Sequence, residues 1–314
     1  MGHAHAQSPG HGHSHGHGHS HGHSHGHAHG GEGGYGRAFA IGILLNGGFV
    51  AVETVYGFLA NSTALVADAG HNLSDVLGLM LAWGAAWLSG RKATPRFSYG
   101  FKKSSILAAL LNAILLLVAI GAISAEAVRR LFEPEASSGG TVMAVAAAGI
   151  LVNGVTAWLF ARGRHGDINI RGAYLHMIAD AAVSAAVVVA GFIITRTGWT
   201  WVDPLVSLAV SAVILKSAWE LMIESTTMTM AGAPRDVQPE AVLSAIERLP
   251  GVTGAHHLHI WPISTTETAL TVHLMVEEGV DRDLVIRKAD AFVHELFGIS
   301  HSTIQVETAG KGCA

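Results

Sequence analysis

The chain has 314 residues, of which 50% are hydrophobic and 13% are charged, about half the charged fraction that is usual in a soluble protein. Long stretches in its middle carry almost no charge, so the composition excludes an ordinary soluble domain and indicates an integral membrane protein. The small net charge of −4 at pH 7 gives no indication of a nucleic-acid partner, and the single cysteine, Cys313, excludes an intrachain disulfide framework or a cysteine metal cluster.

The N-terminal segment 1–34 consists almost entirely of His, Gly, Ser and Ala and holds 12 of the 21 histidines. A segment of this composition cannot bury a core, so we expect it to be disordered without metal. We interpret it as a native metal-binding tail rather than an engineered tag, because its histidines mostly alternate with Gly or Ser. The candidate ligands in this tail are His11, His13, His15, His17, His19, His21, His23, His25, His27 and His29.

Residues 37–224 contain six apolar segments, each long enough to cross a bilayer, which requires about 20 residues. We place these segments near residues 38–60, 64–88, 104–128, 141–161, 172–195 and 202–223. The predicted fold of this part is therefore an α-helical membrane domain with six transmembrane helices.

Cations are concentrated in the connection between the second and third segments, which contains Arg91, Lys92, Arg96, Lys102 and Lys103. Cytoplasmic connections collect Lys and Arg, so this distribution predicts that both termini lie in the cytoplasm. The connection between the third and fourth segments fits least well, since it carries two adjacent arginines as well as acidic residues. The compact chain suits a bacterial inner membrane.

Residues 233–309 are predicted to form a small α+β domain. Its elements in chain order are a helix through about Leu249, strands at 252–263 and 268–276, a helix from Asp281 to Phe297 and a strand at 302–307. This order suggests a compact unit with an antiparallel sheet. The spacing in the second of these helices suggests inner positions at Leu284, Ala291, Val293 and Leu296.

Two of the apolar segments carry ionisable residues in the same pattern. The second segment contains His71 and Asp75, and the fifth contains His176 and Asp180. Such residues cost at least a few kcal/mol each inside a membrane. A spacing of four places each pair on one helix face. Two such faces turned toward each other supply two imidazoles and two carboxylates, a donor set that zinc accepts readily.

The depth of these residues also matches. With antiparallel helices and a rise of about 1.5 Å per residue, Asp75 and Asp180 both fall near the bilayer midplane. This arrangement predicts that His71 lies beside Asp180 and that Asp75 lies beside His176, around one shared ion. The alternative is a set of separate polar residues hydrogen-bonded to neighbouring helices, and the repetition of the pattern favours the shared site.

Asp68 and Glu53 are two of the further acidic residues in the apolar segments. Asp68 precedes Asp75 by seven residues and so faces roughly the same side of its segment. It either guides ions at the outer mouth or lies near the membrane interface. Glu53, in the first segment, is interpreted as an interhelical hydrogen-bond partner.

The protonation chemistry of a His/Asp site suits transport. Zinc is bound by neutral histidine and ionised aspartate, so metal binding releases protons and metal release takes protons up. Histidine exchanges protons near physiological pH. We therefore hypothesise that zinc leaves the cytoplasm as protons enter through the same site.

The motifs around these residues resemble those of the cation diffusion facilitator family of zinc transporters. The run STALVADAGHNLSD, residues 62–75, is similar to the second-helix signature of that family, and DINIRGAYLHMIAD, residues 167–180, is similar to the fifth-helix signature. RFSYG at 96–100 and WVDPLVS at 201–207 also resemble family positions. The resemblance covers nearly the whole chain.

This resemblance implies a homodimer, a six-helix membrane domain, and a ferredoxin-like, metallochaperone-like cytoplasmic domain. It also implies metal export by proton antiport with alternating access, with no organic cofactor. Members with His-Asp pairs in both helices are usually zinc transporters, which favours zinc and leaves cobalt, nickel and cadmium open. The connection 89–103 contains no His, Asp, Glu or Cys, so the zinc site that some members have there is expected to be absent.

The family pattern assigns a regulatory metal site in the cytoplasmic domain to His256, His273 and Glu307, with His301 as a candidate contributor. Alternation along a strand predicts that His257 shares a face with His259, opposite to His256. The alternative is that some of these histidines are ordinary strand residues.

Two function classes compete with transport. A membrane metalloenzyme would need an open metal position and a general base, whereas four protein ligands fill a tetrahedral site and the sequence contains no His-Glu-x-x-His motif. The chain is therefore not expected to be an enzyme. A membrane metal sensor without transport is the second alternative, and metal-stimulated partner binding without cation flux would identify it.

Overall fold

The computed structural model describes residues 35–161 and 168–308. The predictions for the histidine-rich tail fall on residues 1–34 and therefore lie outside the described residues. The described chain forms a domain of six long helices, followed by a small α+β domain.

The six predicted apolar segments are helices in the structure. They are α1 (Tyr35–Leu59), α2 (Thr63–Ser89), α3 (Ser104–Phe132), α4 (Gly139–Phe160), α5 (Ile168–Thr197) and α6 (Val202–Thr229). Among the described residues, α3, α4, α5 and α6 each contain a stretch long and apolar enough to cross a membrane, and α1 contributes a shorter apolar stretch, Leu44–Leu59. The ionisable residues of α2 lower its hydropathy, so its place in the membrane domain rests on packing against the other helices.

The beginnings of α2 and α6 are held together by one buried carboxylate, that of Asp203. Its Oδ2 accepts hydrogen bonds from the backbone N–H of Thr63 at 2.6 Å and from the Thr63 hydroxyl at 2.8 Å. Its Oδ1 accepts a hydrogen bond from the Ser62 hydroxyl. The carboxylate therefore caps α2 from a neighbouring helix, and α2 and α6 begin at the same end of the helical domain.

The opposite end of the helical domain faces the C-terminal domain. Helix α6 ends at Thr229 and leads directly into that domain. Lys102, just before α3, forms an ion pair with Glu267, and the Ser105 hydroxyl accepts a hydrogen bond from the backbone N–H of Thr265 at 3.1 Å. We call this the domain end and the other the far end. Helix α2 consequently runs from the far end toward the domain end.

Close packing against α4 fixes the direction of α5. A Cβ atom on Gly191 of α5 would lie 2.8 Å from the carbonyl oxygen of Gly139, the first residue of α4. The backbone N–H of Ser138, just before α4, donates to the carbonyl of Ala60 in the α1–α2 connection. The start of α4 and the end of α5 are therefore at the far end, so α5 runs antiparallel to α2.

The two arginines that fit least well with the charge distribution lie at the far end. Arg129 pairs with Glu126, Glu133 and Glu135. Arg130 also pairs with Glu126. Hydrogen bonds from Asn61 and Arg129 hold the pKa of the Glu135 carboxyl below its usual range. The positive charge of this connection is thus balanced locally by carboxylates.

The C-terminal domain contains α7 (Pro239–Ile246), β1 (Val252–Pro262), β2 (Thr268–Val276), α8 (Arg282–Phe297) and β3 (His301–Thr308). The sheet order is β1-β2-β3. Strands β1 and β2 are antiparallel, whereas β2 and β3 are parallel. The expected antiparallel sheet is therefore wrong in one strand pair, because α8 serves as a crossover that returns the chain in the same direction.

The core of this domain lies between the sheet and the two helices. Its fully buried residues include Leu270, Val272 and Leu274 of β2. Helix α8 buries Val285, Ala289 and Val293 against the sheet. Of the four inner positions expected on α8, Val293 is confirmed, while Leu284, Ala291 and Leu296 are exposed. The buried face follows a spacing of four from Val285, which the sequence pattern alone did not single out.

We predict that Asp203→Ala destabilises the helical domain, because it leaves the buried hydrogen-bond donors of Ser62 and Thr63 without an acceptor. The loss should be about 3 kcal/mol. It should lower the thermal unfolding midpoint of the detergent-solubilised protein by roughly 5–10 °C. The exposed Asp236→Ala is the matched control and should leave the midpoint unchanged. Equal midpoints for both variants would contradict the capping role.

Candidate metal centre

Four side chains from α2 and α5 meet inside the helical domain. His71 Nε2 lies 3.5 Å from Asp180 Oδ1, and His176 Nε2 lies 3.1 Å from Asp75 Oδ2. Within each helix, His71 lies 3.8 Å from Asp75, and His176 lies 3.6 Å from Asp180. We call these four residues the quartet. The contacts across the helices are those expected from antiparallel packing, and together the four distances close a ring.

These distances fit one small metal ion. Donor atoms that lie about 2.0–2.2 Å from a tetrahedral ion are roughly 3.3–3.6 Å from each other. The four contacts of the quartet range from 3.1 to 3.8 Å. The two imidazole rings are nearly perpendicular, at 81°, with centroids 6.0 Å apart. Donor atoms of Asp75, His176 and Asp180 all lie within 4.8 Å of one another, and His71 joins this group through its contacts with Asp75 and Asp180.

Exposure of the quartet falls from the domain end to the far end. Because α2 and α5 are antiparallel, Asp75 and His176 are the members closer to the domain end, and their side chains are 35% and 27% exposed. His71 and Asp180, closer to the far end, are 17% and 4% exposed. Access to the quartet is therefore wider on the side of the C-terminal domain.

Two acidic residues lie buried next to the quartet on its far-end side. Asp68 is fully buried and accepts a hydrogen bond from the Ser184 hydroxyl at 3.0 Å. Helix α5 covers it from the side. Glu53 accepts a hydrogen bond from the Asn72 side chain at 3.2 Å, which confirms its interhelical hydrogen bond.

A second cluster of candidate ligands lies on the sheet of the C-terminal domain. His273 Nδ1 lies 2.9 Å from Glu307 Oε1, and His256 Nε2 lies 3.7 Å from Glu307 Oε2. His256 and His273 are direct partners across β1 and β2. Three of the four residues expected at this site therefore come together.

His257 belongs to the same cluster, which the alternation of side chains did not predict. Donor atoms of His256, His257 and His273 all lie within 4.8 Å of one another. The backbone of His257 has φ of 52°, and the register with β2 shifts between His256 and His259. A bulge with a left-handed residue interrupts the alternation, so consecutive side chains turn to the same side. A bulge of this kind leaves no clear signal in the sequence.

The structure does not bring His301 into this cluster. His301 pairs with Ala269 at the start of β3, whereas Glu307 pairs with Met275. Six residues along a strand correspond to about 20 Å. The His301 ring instead contacts Tyr99, in the α2–α3 connection, with centroids 5.8 Å apart.

Comparison with known proteins gives matches over almost all of the described chain. A family model described as "Cation efflux transmembrane domain" matches residues 39–229, and "Cation efflux protein, cytoplasmic domain" matches residues 234–309. The chain is 35% identical over 284 residues to the "Cadmium, cobalt and zinc/H(+)-K(+) antiporter" of Bacillus subtilis, covering 88% of this chain and 90% of the relative.

Two further relatives come from other bacteria. The chain is 36% identical over 271 residues to the "Zinc transporter ZitB" of Escherichia coli, covering 86% of each protein. It is 33% identical over 278 residues to the "Metal cation efflux system protein CzcD" of Cupriavidus metallidurans, covering 88% of each. The similarity therefore extends through both domains.

We predict that His257→Ala weakens metal binding by the C-terminal cluster, while His301→Ala does not. Loss of a contacting imidazole should lower the affinity of the cluster for Zn²⁺ by about 10- to 100-fold. Equilibrium dialysis of the detergent-solubilised chain at low free Zn²⁺ measures this difference, with wild type alongside. A loss caused by His301→Ala and not by His257→Ala would contradict the assignment.

Proposed function

The chain belongs to the cation efflux family, the cation diffusion facilitators that its motifs resemble, and on this premise we propose that it exports Zn²⁺ from the cytoplasm in exchange for protons. As a member of this family it is an integral membrane protein that moves divalent metal cations out of the cytoplasm. The zinc specificity, the proton coupling and the residues that carry them are the proposed part.

The observation that carries this proposal is the quartet: two His/Asp pairs from antiparallel helices with mutual distances of 3.1–3.8 Å. Four ionisable side chains inside a membrane domain are costly unless they bind one another or an ion. Two imidazole nitrogens and two carboxylate oxygens complete the coordination of a zinc ion. A catalytic zinc site would keep a coordination position open, so the quartet supports a transport site rather than an enzyme.

The same groups account for the exchange of metal for protons. Zn²⁺ entering the quartet requires both imidazoles to be neutral at Nε2 and both carboxylates to be ionised. After the ion leaves, four donors of this kind lie together without the +2 charge that balanced them. Protons taken up by the quartet then restore the balance. Each cycle therefore moves positive charge in both directions through one site.

The exposure of the quartet supports a conformation open to the cytoplasm. Asp75 and His176, the members closer to the domain end, are the more exposed pair. The far-end members are covered, and beyond them Asp68 and Glu53 are fully buried. We infer that metal enters between α2 and α5 from the cytoplasmic side. Export then requires a second conformation in which the far end opens, which is alternating access.

Zinc is the proposed main substrate among the divalent cations. The names of the relatives include zinc in two of the three cases described, together with cadmium and cobalt in one. Mixed imidazole and carboxylate ligands bind zinc well and also accept nickel, cobalt and cadmium. The alternative is therefore an exporter of the same mechanism that prefers one of these metals, and the transport assay below distinguishes the two.

We further propose a homodimer in the bacterial inner membrane with both termini in the cytoplasm. The cluster of His256, His257, His273 and Glu307 serves as a regulatory metal site in its cytoplasmic domain. Metal bound there would stiffen the cytoplasmic domain when cytoplasmic zinc is plentiful. The histidine-rich tail, 1–34, would bind cytoplasmic zinc, either to raise its concentration near the cytoplasmic entrance or as a buffer that leaves the transport rate unchanged.

We predict that Asp180→Ala abolishes zinc uptake into proteoliposomes with an imposed pH gradient, because it removes one ligand and one negative charge from the quartet. The rate should fall by at least about 100-fold relative to wild type. Asp283→Asn, an exposed change on α8, is the matched control and should keep the wild-type rate. Cobalt, nickel and cadmium are assayed in parallel.

The outcomes of this assay distinguish zinc export through the quartet from export of another metal and from transport through a different site. Zinc flux that depends on the pH gradient and is lost in Asp180→Ala supports the whole proposal. Flux of cobalt, nickel or cadmium in place of zinc changes the substrate and keeps the mechanism. Normal zinc flux in Asp180→Ala, at a normal amount of folded protein, would refute the quartet as the transport site.

A further inference from the structure

The connection between α2 and α3, residues 90–103, contains five cations and no acidic residue. One of the cations, Lys102, forms an ion pair with Glu267 of the C-terminal domain. The other four are exposed, and among the described residues none of them forms an ion pair with a carboxylate. We call these four residues the basic patch: Arg91, Lys92, Arg96 and Lys103.

The two arginines at the far end of the helical domain differ from the basic patch in this respect. Arg129 pairs with three carboxylates, those of Glu126, Glu133 and Glu135, and Arg130 pairs with Glu126. Their charge is therefore balanced by the chain itself. The cations of the basic patch repel one another instead, so an anion bound there would stabilise them.

The backbone of the connection is folded, which keeps these cations together. Thr94 and Phe97 exchange two backbone hydrogen bonds, each of 3.0 Å. Gly100 has a φ of 66°, and a Cβ atom on it would lie 3.2 Å from the carbonyl oxygen of Arg91. The left-handed conformation, which favours glycine, thus brings the end of the connection against its start. The basic patch is therefore one compact surface rather than a set of cations spread along an extended loop.

Exposed aromatic side chains lie beside the basic patch. The Arg91 guanidinium lies over the Trp87 ring, 4.3 Å from its centroid, and Trp87 is 62% exposed. Phe97 contacts Phe101 with ring centroids 4.9 Å apart and is itself 47% exposed. Tryptophan is enriched where a membrane meets water, because one part of its ring system is apolar and its N–H is polar. The combination of exposed aromatic rings and cations indicates contact with the membrane surface.

The depth of the basic patch matches the phosphate layer of a bilayer. Helix α3 is long and apolar enough to cross a membrane, and its apolar run begins at Ile106. Lys103 precedes Ile106 by three residues, which is about 4.5 Å along a helix. At the start of the connection, the backbone N–H of Arg91 donates to the carbonyl of Leu88, near the end of α2. The headgroup layer extends about 5–8 Å beyond the hydrocarbon on each side, so cations at both ends of the connection reach it.

We propose that the basic patch binds the phosphate group of an anionic phospholipid in the leaflet at the domain end. Guanidinium and ammonium groups donate strong, charge-assisted hydrogen bonds to phosphate oxygens. Cations directly beside a membrane span also attract anionic headgroups. This inference goes beyond the proposed transport function and does not depend on which ion the chain moves.

An acidic protein segment is the other kind of partner that four cations attract. Such a segment would account for the charge of the basic patch but not for the exposed rings of Trp87 and Phe97 at the depth of the lipid. The same connection also contacts the C-terminal domain, through Lys102 and through the ring contact of Tyr99 with His301. A lipid bound to the basic patch therefore holds the place where the two domains meet against the membrane.

The first readout is native mass spectrometry of the full chain in detergent, titrated with phosphatidylglycerol or with phosphatidylcholine of the same acyl chains. Wild type should bind phosphatidylglycerol about 100-fold more tightly, since each cation near an anionic headgroup contributes a factor of about five. The variant Lys92→Gln/Arg96→Gln/Lys103→Gln should retain a preference of about fivefold or less. Arg91 is kept in this variant to preserve its contact with Trp87.

The matched control is Arg248→Gln/Arg287→Gln/Lys288→Gln, which removes three exposed cations from the C-terminal domain and should keep the wild-type preference. The second readout is the thermal unfolding midpoint. Phosphatidylglycerol should raise it more than phosphatidylcholine does in wild type and in the control, because a ligand of the folded state stabilises that state. The variant of the basic patch should lose this difference.

Three results would overturn the proposal. The first is equal affinity of wild type for the two lipids. The second is an equal loss of preference in the two triple variants, which would indicate an effect of net charge rather than of the basic patch. The third is displacement of phosphatidylglycerol by an equal concentration of inorganic phosphate or of poly-glutamate, which would identify a soluble phosphate or an acidic protein segment as the ligand.

Discussion

The contact on which the rest of the membrane domain depends is the one between the His/Asp faces of α2 and α5. Each charged aspartate near the middle of a bilayer costs about 2.5–3.5 kcal/mol on insertion scales, so these two helices cannot turn either face to lipid. They must present them to each other. Glycine contact between α4 and α5 and the Asp203 cap on α2 then hold both helices at the depth where the pairs meet.

This arrangement divides the domain into two halves with different properties. On the domain side the quartet is partly exposed, and the connection before α3 is bound to the C-terminal domain through Lys102 and Glu267. An exposed ion pair contributes little stability by itself, but it ties the cytoplasmic domain to the helix next to α2. On the far side, Asp203, Asp68 and Glu53 are buried in hydrogen bonds between helices. In the proposed alternating access, opening of the far end breaks or rearranges these contacts.

The sequence predicted the elements that follow from periodicity and the residues that repeat a pattern. The six helices, the quartet and its pairing across α2 and α5 all follow from apolar length and from a spacing of four. Three other features could not be predicted from the sequence, because they depend on contacts between distant segments. The direction of β3 depends on the α8 crossover, the place of His257 depends on one left-handed residue, and the burial of Asp68 depends on α5 covering α2.

The central claim, that one metal ion is shared by α2 and α5, is tested most directly by anomalous diffraction at the zinc absorption edge from zinc-soaked crystals of the full chain. The account predicts a peak between the helices, at about 2.0–2.2 Å from one donor atom of each of His71, Asp75, His176 and Asp180. Peaks confined to the cytoplasmic histidine cluster, with ordered and ion-free quartet side chains, would contradict it.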